Sequence, residues 1–190
     1  LFSKVGIVLK KWLGKQPYPQ REPLPIPEGN VRILFVCTGN ICRSPTAEGV
    51  MRKFVQQAGL QHLVVVDSAG THDYYAGEPP DPRAQDVARR RGYDLTPLRA
   101  RQLVVTDFET FDVLLAMDKS NLALLQCMCP DRYRSKIRLL MNYADKNLRS
   151  PVIPDPYGRD RSDFEMVLDY IEDACKGLMQ AVARSNTAVR

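Results

Sequence analysis

The sequence predicts an α/β fold, a parallel β-sheet with helices covering both of its faces. Two observations carry that expectation. Four short apolar runs rich in β-branched residues, at 33–37, 63–70, 111–117 and 135–141, lack the steady polar alternation of a half-exposed strand and suit strands covered on both sides. Between and after them, apolar residues recur at helical spacing, and strands that alternate with helices pair in parallel through crossovers. At 190 residues, 44% of them apolar and 26% charged, the chain has the size and composition of one globular domain with a tail.

The N-terminal stretch stands apart from that pattern. Residues 1–13 align Leu1, Val5, Val8, Leu9 and Trp12 on one helical stripe, with Lys4, Lys11 and Lys15 off it. Such a basic amphipathic segment fits docking on the domain, on a partner or at a membrane interface, so residues 1–15 are a candidate for peripheral membrane or partner contact. Lys10 and Lys11 interrupt the apolar run and no small-residue cleavage site follows, so a secretory leader is not expected. Pro17, Pro19, Pro23, Pro25 and Pro27 then read as an extended linker. The expected division is a segment and linker at 1–30, a folded domain at 31–184 and a short tail at 185–190.

Composition narrows the function classes. No stretch of about eighteen apolar residues is present to cross a membrane as a helix. Of the net +5 charge, more than half sits in residues 1–30, where Lys4, Lys10, Lys11, Lys15 and Arg21 face only Glu22 and Glu28. The rest of the chain is therefore not a basic nucleic-acid binder. Five cysteines are too sparse for a secreted disulfide scaffold and read as reduced thiols in a cytoplasmic protein.

The elements follow in order. Strand 33–37 leads to a helix over 45–58 that brings Ala47, Val50, Met51, Phe54, Val55 and Ala58 to one face and stops at Gly59, with Ser44 as its cap and Pro45 as its first residue. Strand 63–70 precedes a helix over 82–92 that ends at Gly92. After strand 111–117, Asp118 caps a helix from Lys119 towards Cys127. The last helix follows strand 135–141. It opens on a Ser162/Glu165 capping box and buries Phe164, Val167, Leu168, Ile171, Cys175, Leu178 and Val182.

Ligands of parallel sheets sit at the carboxyl ends of the strands, and the loop after the first strand lies at such an end. It runs Cys37-Thr38-Gly39-Asn40-Ile41-Cys42-Arg43-Ser44-Pro45. Thr38 to Cys42 deliver successive backbone N–H groups to a helix N-terminus, where the dipole favours an anion. Gly39 and Asn40 tolerate the left-handed backbone that such curling requires. Arg43 adds a planar fork that matches two phosphate oxygens. A thiol inside that positive ring is stabilised as a thiolate, and a thiolate beside a bound phosphate ester is a nucleophile aimed at phosphorus. The competing reading, a plain strand-to-helix turn, does not account for the combination.

A leaving oxygen needs a proton, and Asp155 stands between Pro154 and Pro156, which would fix its carboxyl in space. Asp-Pro alone is an ordinary turn, so Asp155 gains weight as an acid only beside a nucleophile. Cys37 and Cys42 share one curled loop, which is a redox-sensor arrangement able to form a protective disulfide, unless Cys42 merely packs under the loop.

Five segments, CTGNICRSP, DSAGT, GEPPDPRA, FDVLLAMDKSN and DPYG, occur in that order. Together they resemble the low-molecular-weight protein tyrosine phosphatases over residues 31–184. The resemblance implies a three-layer sandwich of the phosphotyrosine phosphatase I type, with four parallel strands in the order 2-1-3-4. It implies hydrolysis of protein phosphotyrosine and small aryl phosphates through a cysteinyl-phosphate, without metal or cofactor. Cys37 matches the nucleophile, Arg43 the phosphate clamp, and Asp155 the acid that protonates the tyrosyl oxygen and then activates water. Ser44 matches the hydroxyl that hydrogen-bonds the thiolate, Asn40 the strained loop residue, and Ser68 the serine that braces it. Tyr74 and Tyr157 match the aromatic walls around the substrate ring.

The chain also departs from the family pattern. Leu98 stands where many relatives have a histidine that helps to hold the asparagine, so a slightly less rigid loop is expected. DPYG carries one tyrosine where eukaryotic relatives often carry two. The only histidines, His62 and His72, are expected at the surface without a catalytic role. Cys127 and Cys129 invite comparison with thioredoxin-coupled arsenate reductases, which share the fold, but the end of the third strand, LAMD (115–118), lacks their first relay thiol. A zinc site at that pair is disfavoured because no second pair has finger spacing. An inactive phosphate-binding module is disfavoured because nucleophile, clamp and acid are all present.

Overall fold

The computed structural model describes Leu24, residues 30–144 and residues 150–187, the side chains of the last helix being described to Arg184. The expectations for residues 1–15 and for most of the linker fall outside the described residues. Leu24 is the exception. It lies among the linker prolines, yet it is buried in the main hydrophobic core.

Strand β1 (Val31–Cys37) is followed by α1 (Arg43–Gln57), β2 (Val64–Gly70), α2 (Pro82–Arg90), α3 (Val105–Thr110), β3 (Val113–Ala116), α4 (Lys119–Met128), β4 (Ile137–Leu139) and α5 (Arg161–Thr187). The four strands form one parallel sheet in the order β2-β1-β3-β4, as the sequence led us to expect. Strand β1 pairs with β2 from Val31↔Val64 to Cys37↔Gly70, and with β3 from Ile33↔Val113 to Val36↔Ala116.

Strand alternation sends Val31, Ile33, Phe35 and Cys37 into a core with α1, α2 and α5, and sends Leu34 and Val36 into a second core with Phe108 of α3 and Leu125 of α4. Both faces of the central strand are therefore dry, which is why its sequence is apolar at nearly every position. Helix α5 contributes Phe164, Leu168, Ile171 and Leu178, with the smaller Cys175, to the larger core, and full burial of each of those four large side chains is worth about 1.5–3 kcal/mol. Because the chain leaves β1 for β2 on one side and returns to β3 on the other, the carboxyl end of β1 is the switch point of the sheet.

Several expected boundaries move. Helix α1 begins at Arg43, so Ser44 lies inside the first turn instead of capping it, and Pro45 costs nothing there because the first amides of a helix have no internal acceptor. Helix α5 begins at Arg161, which moves Ser162 out of the capping position; the Glu165 carboxylate instead accepts Arg161 Nε at 3.2 Å. Helix α2 ends at Arg90, two residues early, and Gly92 turns the chain at φ +79°.

Strand β3 starts only at Val113, because Phe111 N–H closes α3 on Asp107 O at 2.9 Å. Strand β4 shrinks to three residues between 3₁₀ turns at Asp131–Lys136 and Leu140–Tyr143. Asp118 does cap α4, accepting Asn121 N–H at 2.7 Å. Cys129 leaves that helix before Pro130, buried, while Cys127 is exposed.

Candidate active site

Cys37 ends β1 and Arg43 opens α1, so Thr38 to Cys42 must turn the chain from strand to helix. The turn uses Asn40 at φ +55°, the one non-glycine residue with positive φ among the described residues. Its side chain is buried and makes three hydrogen bonds. Nδ2 donates to Ser44 Oγ at 2.9 Å and to Ser68 Oγ at 2.8 Å, and Oδ1 accepts the Arg101 backbone N–H at 2.9 Å. Leu98 is apolar and buried, so the carboxamide oxygen is held by a backbone amide and not by a side chain at that position.

Neighbouring segments hold the same loop from outside. Cys37 O accepts from Thr71 N–H at 2.8 Å, Thr38 O from His72 N–H at 3.0 Å and Ile41 O from Asp81 N–H at 2.8 Å. A Cβ on Gly70, at the end of β2, would stand 2.8 Å from Thr38 O, so only glycine lets the strand approach the loop this closely.

The Cys37 sulfur lies 3.0 Å from Ser44 Oγ. Ser44 already accepts from Asn40, so its own hydrogen is free for Sγ or for Ala69 O at 3.3 Å. Arg43 is 1% exposed. Nη1 donates to Asp118 Oδ2 at 2.5 Å and to Ile153 O at 3.3 Å, and Nη2 to Asp155 Oδ2 at 2.7 Å and to Thr38 Oγ1 at 3.4 Å. Nε has no hydrogen-bond partner among the described residues. Burial works against the guanidinium charge, but Cys37, Asp155 and Asp118 outweigh it and hold Arg43 above its ordinary value.

Asp155 is brought to the loop by a segment tied to the end of β3 through Ile153 N–H on Met117 O at 2.9 Å. Its side chain is 47% exposed, and its Oδ1 accepts Tyr157 N–H at 3.2 Å. Cys42 is the buried last residue of the loop, at the start of α1. Its thiol is pushed far above the usual range, first by burial and then by the charges of Asp81 and Cys37.

These groups share a cleft of about 300 Å³, with Cys37, Thr38, Gly39, Ile41, Cys42 and Arg43 at its base, Asp155 at its side and Tyr74, Tyr75 and Tyr157 around it. Tyr74 and Tyr157 are 69% and 56% exposed, as walls at a mouth would be. Tyr75 O–H donates to Tyr157 O–H at 2.7 Å, and the His72 ring stacks on Tyr74 at 4.8 Å. A roomier hollow of about 550 Å³ lies between α2 and residues 92–96, but its lining has no thiol and no buried cation, so the chemistry belongs to the smaller cleft.

Every site residue foreseen from sequence thus lies in this cleft or, for Asn40, Ser44 and Ser68, directly behind it. Three groups were missed. Asp118 has the sequence signature of a helix cap alone, although its second oxygen pairs with Arg43. Tyr75 follows a tyrosine that already served as the wall. The Arg101 contact is made by a backbone amide and has no side-chain signature. Of the histidines, His62 is exposed, whereas His72 is half-buried, with Nδ1 2.9 Å from Thr71 Oγ1.

A buried cationic clamp, a thiol and a half-exposed carboxyl around one small cleft form a site for an oxyanion that the thiol can attack. Comparison with known proteins agrees with that chemistry. Residues 32–188 match the family model for low molecular weight phosphotyrosine protein phosphatase. A low molecular weight protein-tyrosine-phosphatase of Streptomyces coelicolor is 44% identical over 153 residues, covering 80% of this chain and 93% of the relative. The human low molecular weight phosphotyrosine protein phosphatase is 41% identical over 150 residues, covering 78% and 93%. A crystal structure of a protein tyrosine phosphatase from Entamoeba histolytica, with Hepes in its active site, superposes with a TM-score of 0.79 at 38% identity, covering 82% of this chain and 98% of that one. The chain belongs to the low molecular weight phosphotyrosine protein phosphatase family, and is an enzyme of that class.

Proposed function

We propose that the protein hydrolyses phosphotyrosine in proteins, and small aryl phosphates, with Cys37 as nucleophile, Arg43 as clamp and Asp155 as acid and then base. The observation that carries this reading is the meeting of the Cys37 thiol, the buried Arg43 guanidinium and the Asp155 carboxyl in one cleft of about 300 Å³ ringed by tyrosines. The substrate phosphate sits on the loop amides of Thr38 to Cys42 and on Arg43, whose Nε is free to donate. The Cys37 thiolate attacks phosphorus in line. The S–P bond forms as the P–O bond to the tyrosyl oxygen breaks, and Asp155 gives that oxygen its proton. Asp155, now a carboxylate, takes a proton from water as the water attacks phosphorus, releasing phosphate and the thiolate, which Ser44 O–H stabilises. Tyr74 and Tyr157 flank the substrate ring.

The test is leaving-group dependence. Asp155→Asn should slow aryl phosphates with poor leaving groups at least tenfold more than activated ones, since only the former need a proton in the transition state. An equal loss on both would make Asp155 structural.

Two finer readings accompany this one. Cys37 and Cys42 lie on one curled loop, which supports a redox-sensitive Cys37 that a disulfide to Cys42 would protect, and the odd, sparse set of five cysteines fits a cytoplasmic protein. After peroxide, thiol reductant should restore wild type but not Cys42→Ala, and equal recovery would remove the protective role. The basic amphipathic segment of residues 1–15 serves as a peripheral membrane or partner contact; as a membrane contact, binding to anionic vesicles should be lost without it and should weaken with salt. Vesicle binding that survives the deletion would end that reading.

A further inference from the structure

Glu48 is a carboxylate at 2% exposure that no step above uses. It stands one turn beyond Ser44 on α1, and burial raises its pKa above the ordinary carboxyl value despite the hydrogen bond from Ser68 and the charge of Arg52. A residue that only filled space here would gain by being apolar. Its Oε1 meets Arg52 Nη2 at 2.5 Å, and its Oε2 accepts the Ser68 hydroxyl at 2.6 Å.

That short bond sets the direction of a chain of hydrogen bonds. Ser68 is itself buried and has one hydrogen, which goes to Glu48, so its oxygen faces Asn40 Nδ2 as an acceptor. The Asn40 carboxamide cannot flip, because its Oδ1 is taken by the Arg101 N–H. Both Nδ2 hydrogens therefore go outward, one to Ser68 and one to Ser44, which leaves Ser44 its own hydrogen, with the Cys37 sulfur at 3.0 Å and Ala69 O at 3.3 Å as the acceptors in reach. Without Glu48, the buried Ser68 hydrogen has no such acceptor, and the hydroxyl must rotate away from its place under the left-handed turn.

We infer that Glu48 is a positioning residue: through Ser68 it holds Asn40 in its left-handed conformation, and with it the Ser44 hydroxyl on the Cys37 sulfur. The inference rests on the proposed role of Cys37, but it concerns the geometry of the loop, which anion binding reports separately from turnover.

The experiment is a double-mutant cycle on the full chain with Glu48→Ala, Ser68→Ala and both, read by kcat and KM on an aryl phosphate, by inhibition with vanadate and by urea unfolding. Each single change should lower kcat/KM about tenfold and weaken vanadate inhibition, and the double variant should be within about twofold of the worse single, as expected for residues that act through one contact. Glu48→Gln, whose carbonyl oxygen still accepts from Ser68, should recover most of the loss. If Glu48→Ala does not fold, Glu48→Gln alone and with Ser68→Ala carries the comparison, with no further loss expected in the pair. Additive losses would overturn the inference, as would a Glu48→Ala that unfolds earlier but keeps kcat/KM and vanadate affinity within twofold. A wild-type chain that binds vanadate without turning over aryl phosphate would defeat the phosphatase reading alone, and the vanadate cycle would still judge Glu48.

Discussion

Asn40 carries both a backbone penalty and three side-chain bonds, and two substitutions separate them. Asn40→Gly relieves the positive φ but deletes the side chain. The part-buried Arg101 N–H then loses its acceptor, a loss of about 1–3 kcal/mol, and the bonds to Ser44 and Ser68 contribute about 0.5–1.5 kcal/mol each. Asn40→Gly should therefore cost about 2–6 kcal/mol, less whatever relief of the positive φ returns. Asn40→Ala loses the same bonds and also forces a Cβ into φ +55°, which adds about 1–2 kcal/mol. The order of stability is then wild type, glycine, alanine. Urea unfolding at neutral pH measures it, with aryl phosphate turnover recorded on the same samples and expected to fall in the same order. An alanine variant as stable as the glycine variant would refute the claim that the left-handed backbone is under strain. Losses below about 1 kcal/mol in both would refute the claim that the side chain holds the loop.

Two other perturbations follow from the surroundings. Asp81 is worked upward by burial, but hydrogen bonds from Arg83 outweigh this and its pKa is lowered, so its contribution is present above the unfolded value of about 3.9 and is lost as pH falls through the folded one. Asp81→Ala should cost about 1 kcal/mol at pH 7 through the lost α2 cap. Asp81→Asn keeps the cap and should differ from wild type near neutrality but not in strong acid, as unfolding at both pH values will read. Leu24→Ala should cost about 2–4 kcal/mol because a buried leucine is truncated, while turnover on a small aryl phosphate stays within about twofold. An unchanged unfolding midpoint would mean that Leu24 is not anchored in the core.

Much of this was legible from sequence because the signals are local. Strand β1 is apolar on both faces, Asp118 sits at a cap position, and Cys37 and Arg43 are joined by a turn that only Gly39 and Asn40 make easy. Helix α3 was missed because Val105-Thr106-Asp107-Phe108-Glu109-Thr110 is short and rich in β-branched residues, and it forms where Lys136 Nζ can bond the carbonyls of Phe108, Glu109 and Phe111. The contacts that complete the site are long-range. Asp118 reaches Arg43 across 75 positions, and Arg101 reaches Asn40 across 61 through its backbone. Glu48 reads in sequence like any solvated helical glutamate, and only the approach of β2 makes it a buried partner of Ser68. Leu24 was hidden by its prolines, whose composition describes a linker whether or not one side chain turns inward.

The most direct measurement is to quench the enzyme in acid during turnover of an aryl phosphate and to locate the phosphoryl group by peptide mass spectrometry. A phosphoryl group on the Cys37 sulfur, absent from Cys37→Ser, which still binds vanadate but does not turn over, is the expected result. Phosphorylation at another residue, or turnover by Cys37→Ser above about a thousandth of wild type, would contradict a cysteinyl-phosphate at Cys37.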